Sequence, residues 1–204
     1  MSEVKVGDII KFGRYHDTAD TVAPIEWIVI KKTDFKLGVI SKKLLDRRPF
    51  DSDGWESQRE ITWNNSPMRR WLNEVFYKEA FNDEEKEMIS EVIVDPGESI
   101  YSGRYPGLES RDHIFLLSVV EATNLLTEDE WIKAEPTQYA LQNGDEEDEW
   151  KDHKQFWLRS AGRDYYTTAV MGFLGPFHET DYHIFEDDNT NRFTYVRPAM
   201  WIEI

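Results

Sequence analysis

The chain contains no cysteine. That excludes disulfides, thiolate metal sites and thiol nucleophiles, and it fits a reducing compartment. Basic residues are scarce: 24 Lys and Arg stand against 40 Asp and Glu, a formal net charge of −16. A surface of that sign repels a phosphate backbone, which only Lys and Arg can neutralise. No basic stripe or nucleic-acid motif offsets the deficit. Neither nucleic acid nor an anionic membrane is expected as a partner, whereas a cationic partner and simple solubility both stay open. No apolar run nears the ~20 residues that span a bilayer. The opening "MSEVKVGDIIKFG" lacks the charged start, apolar core and cleavage site of a secretion signal, so the expectation is a soluble cytoplasmic protein.

Catalytic signatures are also missing. There is no Gly-x-Ser-x-Gly, no P-loop and no dinucleotide fingerprint. The histidines His16, His113, His153, His178 and His183 form no His-x-x-x-His pair and no zinc pattern. Asp181, Glu186, Asp187 and Asp188 lie near His183 but do not match the EF-hand spacing. No metal and no cofactor are expected. Paired carboxylates could serve a hydrolase, yet so acidic a chain makes any one pair uninformative.

Aromatics, by contrast, are plentiful, with eight Trp, nine Tyr and eleven Phe. Such side chains bury roughly 150–250 Å² each, enough for a substantial core. "GDIIKFGRY", "IEWIVIKKT" and "KLGVIS" read as an antiparallel meander within 6–41, followed by a loop over Asp46–Ser57. The middle, about 64–144, is helical. Ser66 caps a helix with Pro67 in its first turn, and Met68, Trp71, Leu72, Val75 and Phe76 form its apolar stripe. Asn82 with Glu85, Ser118 with Glu121, and Thr127 with Glu130 read as capping boxes. "PTQYALQNG" reads as one more short helix, "SEVIVD" and "HIFLLS" as strands, and 95–112 as a loop. The acidic run Asp145–His153 reads as a solvated loop. Over 155–204, "QFWLRS", "YYTTAVMGF", "DYHIFE" and "FTYVRPAMWI" read as strands. The expectation is a single α+β domain over 1–204, with mixed or antiparallel sheets, short helices and termini near each other.

Two arginines sit inside apolar runs, Arg159 in "FWLRSAG" and Arg197 in "VRPAMWI". If extended, Trp157 and Arg159 share one strand face, and Tyr195, Arg197 and Ala199 share another. A guanidinium offers five donors in a planar fork, enough to tie neighbouring segments together. The two are read as internal braces, with Glu121 and Asp112 as candidate partners. Arg70, Trp71, Asn73 and Trp201 complete the structural set, Asn73 as an anchor for loop backbone. Between the two arginine motifs lies a stretch rich in rings. Tyr165, Tyr166, Phe173, His178, Tyr182 and Arg192 are the candidate recognition residues, since Tyr gives wide amphipathic contact at low entropic cost.

"WNNSPMRRWLNEVFYKEAF", "DHIFLLSVVEA", "PTQYA", "FWLRSAG" and "VRPAMWI", in this order, together resemble an uncharacterised bacterial domain family. The likeness covers about Val6 to Ile204, with Ala161 where that family usually has Pro and Met200 where Leu is common. Its C-terminal pattern is in turn similar to the C-type-lectin-like fold, as in the formylglycine-generating enzyme. That resemblance implies a ligand-facing surface in the ring-rich stretch. It does not carry over the enzyme's cysteine chemistry, and Glu135–Thr137 lacks the Glu-Pro-Asn order of calcium-dependent sugar-binding lectins. The expected function is a non-catalytic module that binds a protein or a glycan. A hydrolase using acidic residues, and a structural or self-associating domain, are the alternatives.

Overall fold

The three β-rich segments at the start pair in order, as alternation predicts. They are β1 (Ile9–His16), β2 (Val22–Lys32) and β3 (Lys36–Ser41). These and all further positions come from a computed structural model that describes residues 4–53, 60–99, 101–143, 154–173, 182–192 and 194–204. β1 bulges at Gly13, whose φ of 69° suits glycine. A Cβ there would lie 2.5 Å from the Phe81 ring and 2.8 Å from the Ala80 carbonyl oxygen. The Gly13 N–H donates to Glu85 Oε1 at 3.0 Å, while Glu85 Oε2 accepts from Asn82 N at 2.9 Å. One capping glutamate thus closes its own helix, α3 (Asp83–Met88), and holds the sheet edge.

The C-terminal pattern does not form the single strand that its length suggests. It breaks at Arg197–Pro198 into β11 (Tyr195–Val196) and β12 (Ala199–Glu203), which lie in different sheets. Pro198 has no N–H for a ladder and restricts the residue before it, so the chain steps across at this point. β12 pairs with β3 and with β7 (Ile114–Phe115), giving the order β1-β2-β3-β12-β7. β11 runs parallel to β8 (Phe156–Ala161) and antiparallel to β4 (Asp46–Arg47). β9 (Thr167–Phe173) and β10 (Tyr182–Asp188) complete the second sheet, β10-β9-β8-β11-β4. A separate pair joins β5 (Val92–Val94) to β6 (Ser110–Asp112). β4 and β6 fall in segments read as loops, because strands this short have no periodicity of their own.

The helices are short. Ser66 caps α1 (Pro67–Trp71), which continues through a π-helical turn over Leu72–Phe76 into α2 (Tyr77–Ala80). The wider turn rotates the expected stripe: Met68, Leu72 and Phe76 are buried, while Val75 is exposed. Ser118 and Glu121 form the expected capping box of α4 (Val119–Leu125). α5 (Asp129–Ile132) starts one residue later than a Thr127 cap predicts, with Glu128 in the cap position and no side-chain cap. α6 (Gln138–Gln142) is capped by Thr137. Buried side chains of both sheets and of the helices join in one core, so the chain is a single α+β domain.

Buried charge ties these elements together. Arg159 Nε donates to the Asp95 carbonyl at 2.6 Å, and its Nη1 donates to the Leu116 carbonyl at 2.7 Å and to the Glu121 carboxylate. Arg197, fully buried between the sheets, donates from Nε to the Ser41 carbonyl at 2.9 Å and lies over the Phe156 ring at 5.1 Å. Among the described residues its Nη1 and Nη2 have no hydrogen-bond partner, and burial lowers its pKa to about 9. Asp46, also fully buried, accepts from Tyr15 Oη at 3.0 Å, its neighbour Arg47 N at 2.7 Å, Arg48 Nη2 at 3.0 Å and Asn143 Nδ2 at 3.1 Å.

Two predictions follow from these pairings. Arg159→Met strips donors from two carbonyls and one carboxylate, and is expected to cost about 2–4 kcal/mol. Arg197→Met gives up one hydrogen bond but also removes a half-satisfied buried charge, so its cost is about 1 kcal/mol or less. Urea unfolding of both variants checks the contrast, and equal losses would refute the difference in pairing. The second prediction concerns Tyr15, whose phenol pKa is raised from 10.0 by burial and by Asp46. Above pH ~10 the unfolded chain gives up a proton that the folded one keeps, so this stability is whole below that pH and falls as pH rises. Tyr15→Phe is expected to cost about 1–2 kcal/mol at pH 7 and to flatten the alkaline loss. The opposite contribution of Arg197 is common to both proteins and cancels in the difference.

Candidate functional site

The turn between β8 and β9 carries Tyr165 and Tyr166, and it is tightly held. Gly162 N donates to the Thr167 carbonyl at 2.9 Å, and Thr167 N to the Asp164 carbonyl at 3.2 Å. Glu186 reaches over from β10, its Oε2 accepting from Arg163 N and from Thr167 Oγ1. This approach requires Gly162: a Cβ there would sit 2.4 Å from Thr167 Oγ1 and 2.9 Å from Glu186 Oε2. The Tyr165 carbonyl accepts from Ile61 N at 3.4 Å and the Tyr166 carbonyl from Asn189 N at 2.8 Å. With the backbone fixed on both sides, the rings project from a rigid base. Tyr165 is 52% and Tyr166 36% exposed. Their centroids lie 5.1 Å apart with an interplanar angle of 88°.

The loop after residue 100 lies against this turn. Arg104 donates to the Asp164 carbonyl at 3.2 Å and pairs with Glu60, and Arg163 lies 4.8 Å over the Tyr101 ring. The same loop exposes Tyr105 and Leu108. Two cations beside this turn are engaged, Arg163 with Glu186 at 3.6 Å and Arg104 with Glu60. Asp164, Asp188 and partial burial raise the Tyr166 phenol pKa, with Asp164 the largest cause. The Tyr166 phenol thus sits beside acidic groups. Tyr101, Tyr105 and Leu108 were not singled out from sequence. The available signal was a pair of tyrosines in a Gly- and Pro-rich loop, where aromatics have no strand to pack into.

The candidate recognition residues do not all converge. Arg192 is exposed at the same end of the second sheet as Tyr165 and Tyr166. Phe173 and Tyr182 pair at the far end of the β9–β10 ladder, roughly 20 Å away at about 3.4 Å per residue. His178 lies outside the described residues, as does the whole acidic run Asp145–His153.

Of the remaining set, Asn73 donates from Nδ2 to the Arg69 and Ile114 carbonyls, at 3.1 and 2.8 Å, and accepts from His113 N and Ile114 N at 2.9 and 3.1 Å. Arg70 is half-exposed, 4.0 Å from Asp53. Its neighbour Arg69 makes the inner contact, donating from Nε to Asp112 Oδ1 at 2.6 Å. Asp112, buried, also accepts from Trp63 Nε1 at 2.9 Å and Ser110 Oγ at 2.6 Å. It is thus the partner of Arg69, not of Arg159 or Arg197. Trp71 lies under the Arg48 guanidinium at 3.6 Å. Trp157 donates from Nε1 to the Arg48 carbonyl at 3.0 Å. Trp201 is half-buried, with the Lys31 ammonium 5.8 Å from its ring.

Among the described residues no cluster of three or more His, Asp or Glu is placed to hold a metal ion, and no helix is long and apolar enough to cross a membrane. Comparison with curated proteins and with solved structures finds no match. One family does match, Domain of unknown function (DUF6273), over residues 36–204. The match takes in β3, the helical middle, the tyrosine turn and both arginine motifs, and the chain belongs to that family.

Proposed function

We propose that this domain is a non-catalytic recognition module that binds an extended, basic polypeptide segment through the Tyr165–Tyr166 turn. The observation that carries this reading is a pair of exposed tyrosines on a locked backbone, beside Asp164 and Asp188, with Arg104 and Arg163 already paired to glutamates. A Lys or Arg side chain gains there both from the carboxylates and from the ring faces. A fixed backbone keeps the entropic cost of binding low.

The ring geometry favours a polypeptide over a glycan. A sugar needs a flat platform, and rings at 88° to each other do not form one. Hydrolysis is the less supported alternative. Glu26, the described glutamate whose pKa departs from its ordinary value, is held low by a hydrogen bond from Lys42, the wrong direction for a general acid. The finer likeness to C-type-lectin-like folds belongs with this proposal. It is supported by first and last strands sharing one sheet while a hairpin of the other sheet carries the exposed rings.

The test is an array of synthetic Lys- and Arg-rich peptides, with acidic and neutral counterparts and glycans alongside. Basic peptides are expected to bind, more weakly as salt rises. The double change Tyr165→Ala and Tyr166→Ala is expected to reduce that binding at least tenfold while circular dichroism stays unchanged. Glycan binding in place of peptide, or full retention by the folded double variant, would overturn the proposal.

A further inference from the structure

On the other sheet, away from the tyrosine turn, lies a cleft of about 300 Å³. Four stretches of chain wall it: β1, β2, the segment after β3 and the start of α6, so no local motif marks it. Its floor is apolar, with Ala23, Pro24, Ile25 and Leu45 beside the buried Tyr15 ring. The volume is at the lower end of the range for small-molecule pockets, roughly 300–1,000 Å³.

Charge makes the cleft unusual for this chain. Lys11 and Lys43 line it, and Lys42 stands beside it. They face Glu26 and Asp17: Lys42 Nζ lies 2.9 Å and Lys11 Nζ 3.9 Å from Glu26, and Lys43 Nζ lies 3.2 Å from Asp17. The lining charges Lys11, Lys43, Asp17 and Glu26 balance, and Lys42, paired with Glu26 from beside the cleft, adds a third ammonium to a molecule of net −16. The Glu26 carboxyl is held low by the Lys42 hydrogen bond and by the charges of Lys42, Lys11 and Lys43, which places all three cations in one local field. Lys11 is bound most loosely, at 3.9 Å and with its side chain 67% exposed. An exposed pair of that length contributes little, so the ammonium is easily recruited by a better partner.

We infer that this cleft binds a small organic carboxylate, with its acid group between Lys11 and Lys43 and its apolar body on Ile25 and Leu45. The arrangement matches the usual composition of ligand pockets, an apolar lining with a few converging polar groups. Carboxylate oxygens suit two ammonium donors better than a neutral or cationic head would. Two walls come from β1 and β2, before residue 36, and two from Lys43, Leu45 and Thr137 within the family match. The proposal is independent of the tyrosine turn.

The full chain, labelled with nitrogen-15, is titrated with benzoate, with 3-methylbutyrate and with butylammonium, and amide shifts are followed. Both carboxylates are expected to shift the amides of Ile25, Lys43 and Leu45, and butylammonium is not. The double change Lys11→Gln and Lys43→Gln is expected to weaken carboxylate binding at least tenfold with the melting temperature unchanged. No shift with either carboxylate at 10 mM, equal binding of butylammonium, or undiminished binding by the folded double variant would each overturn the inference.

Discussion

The structure depends on one step of the chain, where it leaves the second sheet at Val196 and enters the first at Ala199. Arg197 and Pro198 make that crossing, and what lies on either side depends on it. β11 sits between β8 and β4, and β12 between β3 and β7, so the C-terminal segment is interior to both sheets. The Ser41 N–H donates to the Pro198 carbonyl and the Leu45 N–H to the Val196 carbonyl, which stitches the segment after β3 to both halves of the crossing. The Arg197 guanidinium reaches 156 positions back to Ser41. Pairings of such sequence separation carry a large loop-closure cost before they return any stability. Neither five-stranded sheet can be complete until the end of the chain is in place.

Buried charge is used in two ways. Arg159, Asp46 and Asp112 are surrounded by partners, so the desolvation of each is offset by several hydrogen bonds. Arg197 is different, with one carbonyl, one aromatic face and two nitrogens without partners among the described residues. A charge so placed weakly favours the folded state at best, yet it stands at the seam where alternative packings of the two sheets must be told apart. Its geometry suits a role in specifying that seam more than in strengthening it.

Much of the scaffold was legible in the sequence. The meander over β1–β3 and the Ser66, Asn82 and Ser118 caps follow from periodicity and capping chemistry, while only the fold assigns Glu121 to Arg159 and Asp112 to Arg69. What was illegible was non-local. β4 and β6 exist only because partners from distant segments supply their ladders. The π-helical turn that pushes Val75 outward leaves no mark in an i, i+3, i+4 pattern. Pro198 was visible as a residue, but only the separation of the two sheets makes it a crossing. Arg69 and Arg70 are adjacent and alike in sequence. The position of Asp112, fixed by Trp63 and Ser110, decides which of them turns inward.

The two surfaces follow the same logic with opposite sign. At the tyrosine turn, Arg104 and Arg163 are taken up by internal pairs while Asp164 and Asp188 stand beside Tyr166. At the cleft, Lys11 and Lys43 face Glu26 and Asp17, and Lys42 adds a third ammonium from beside it. Net charge alone, read from composition, leaves a cationic partner and simple solubility both open. Under the two proposals, the distribution of ion pairs separates a surface suited to cations from one suited to anions, each on its own sheet. Those sheets meet at Arg197, so a rearrangement of one that disturbed the crossing would be felt by the other through β11 and β12, the strands that join them.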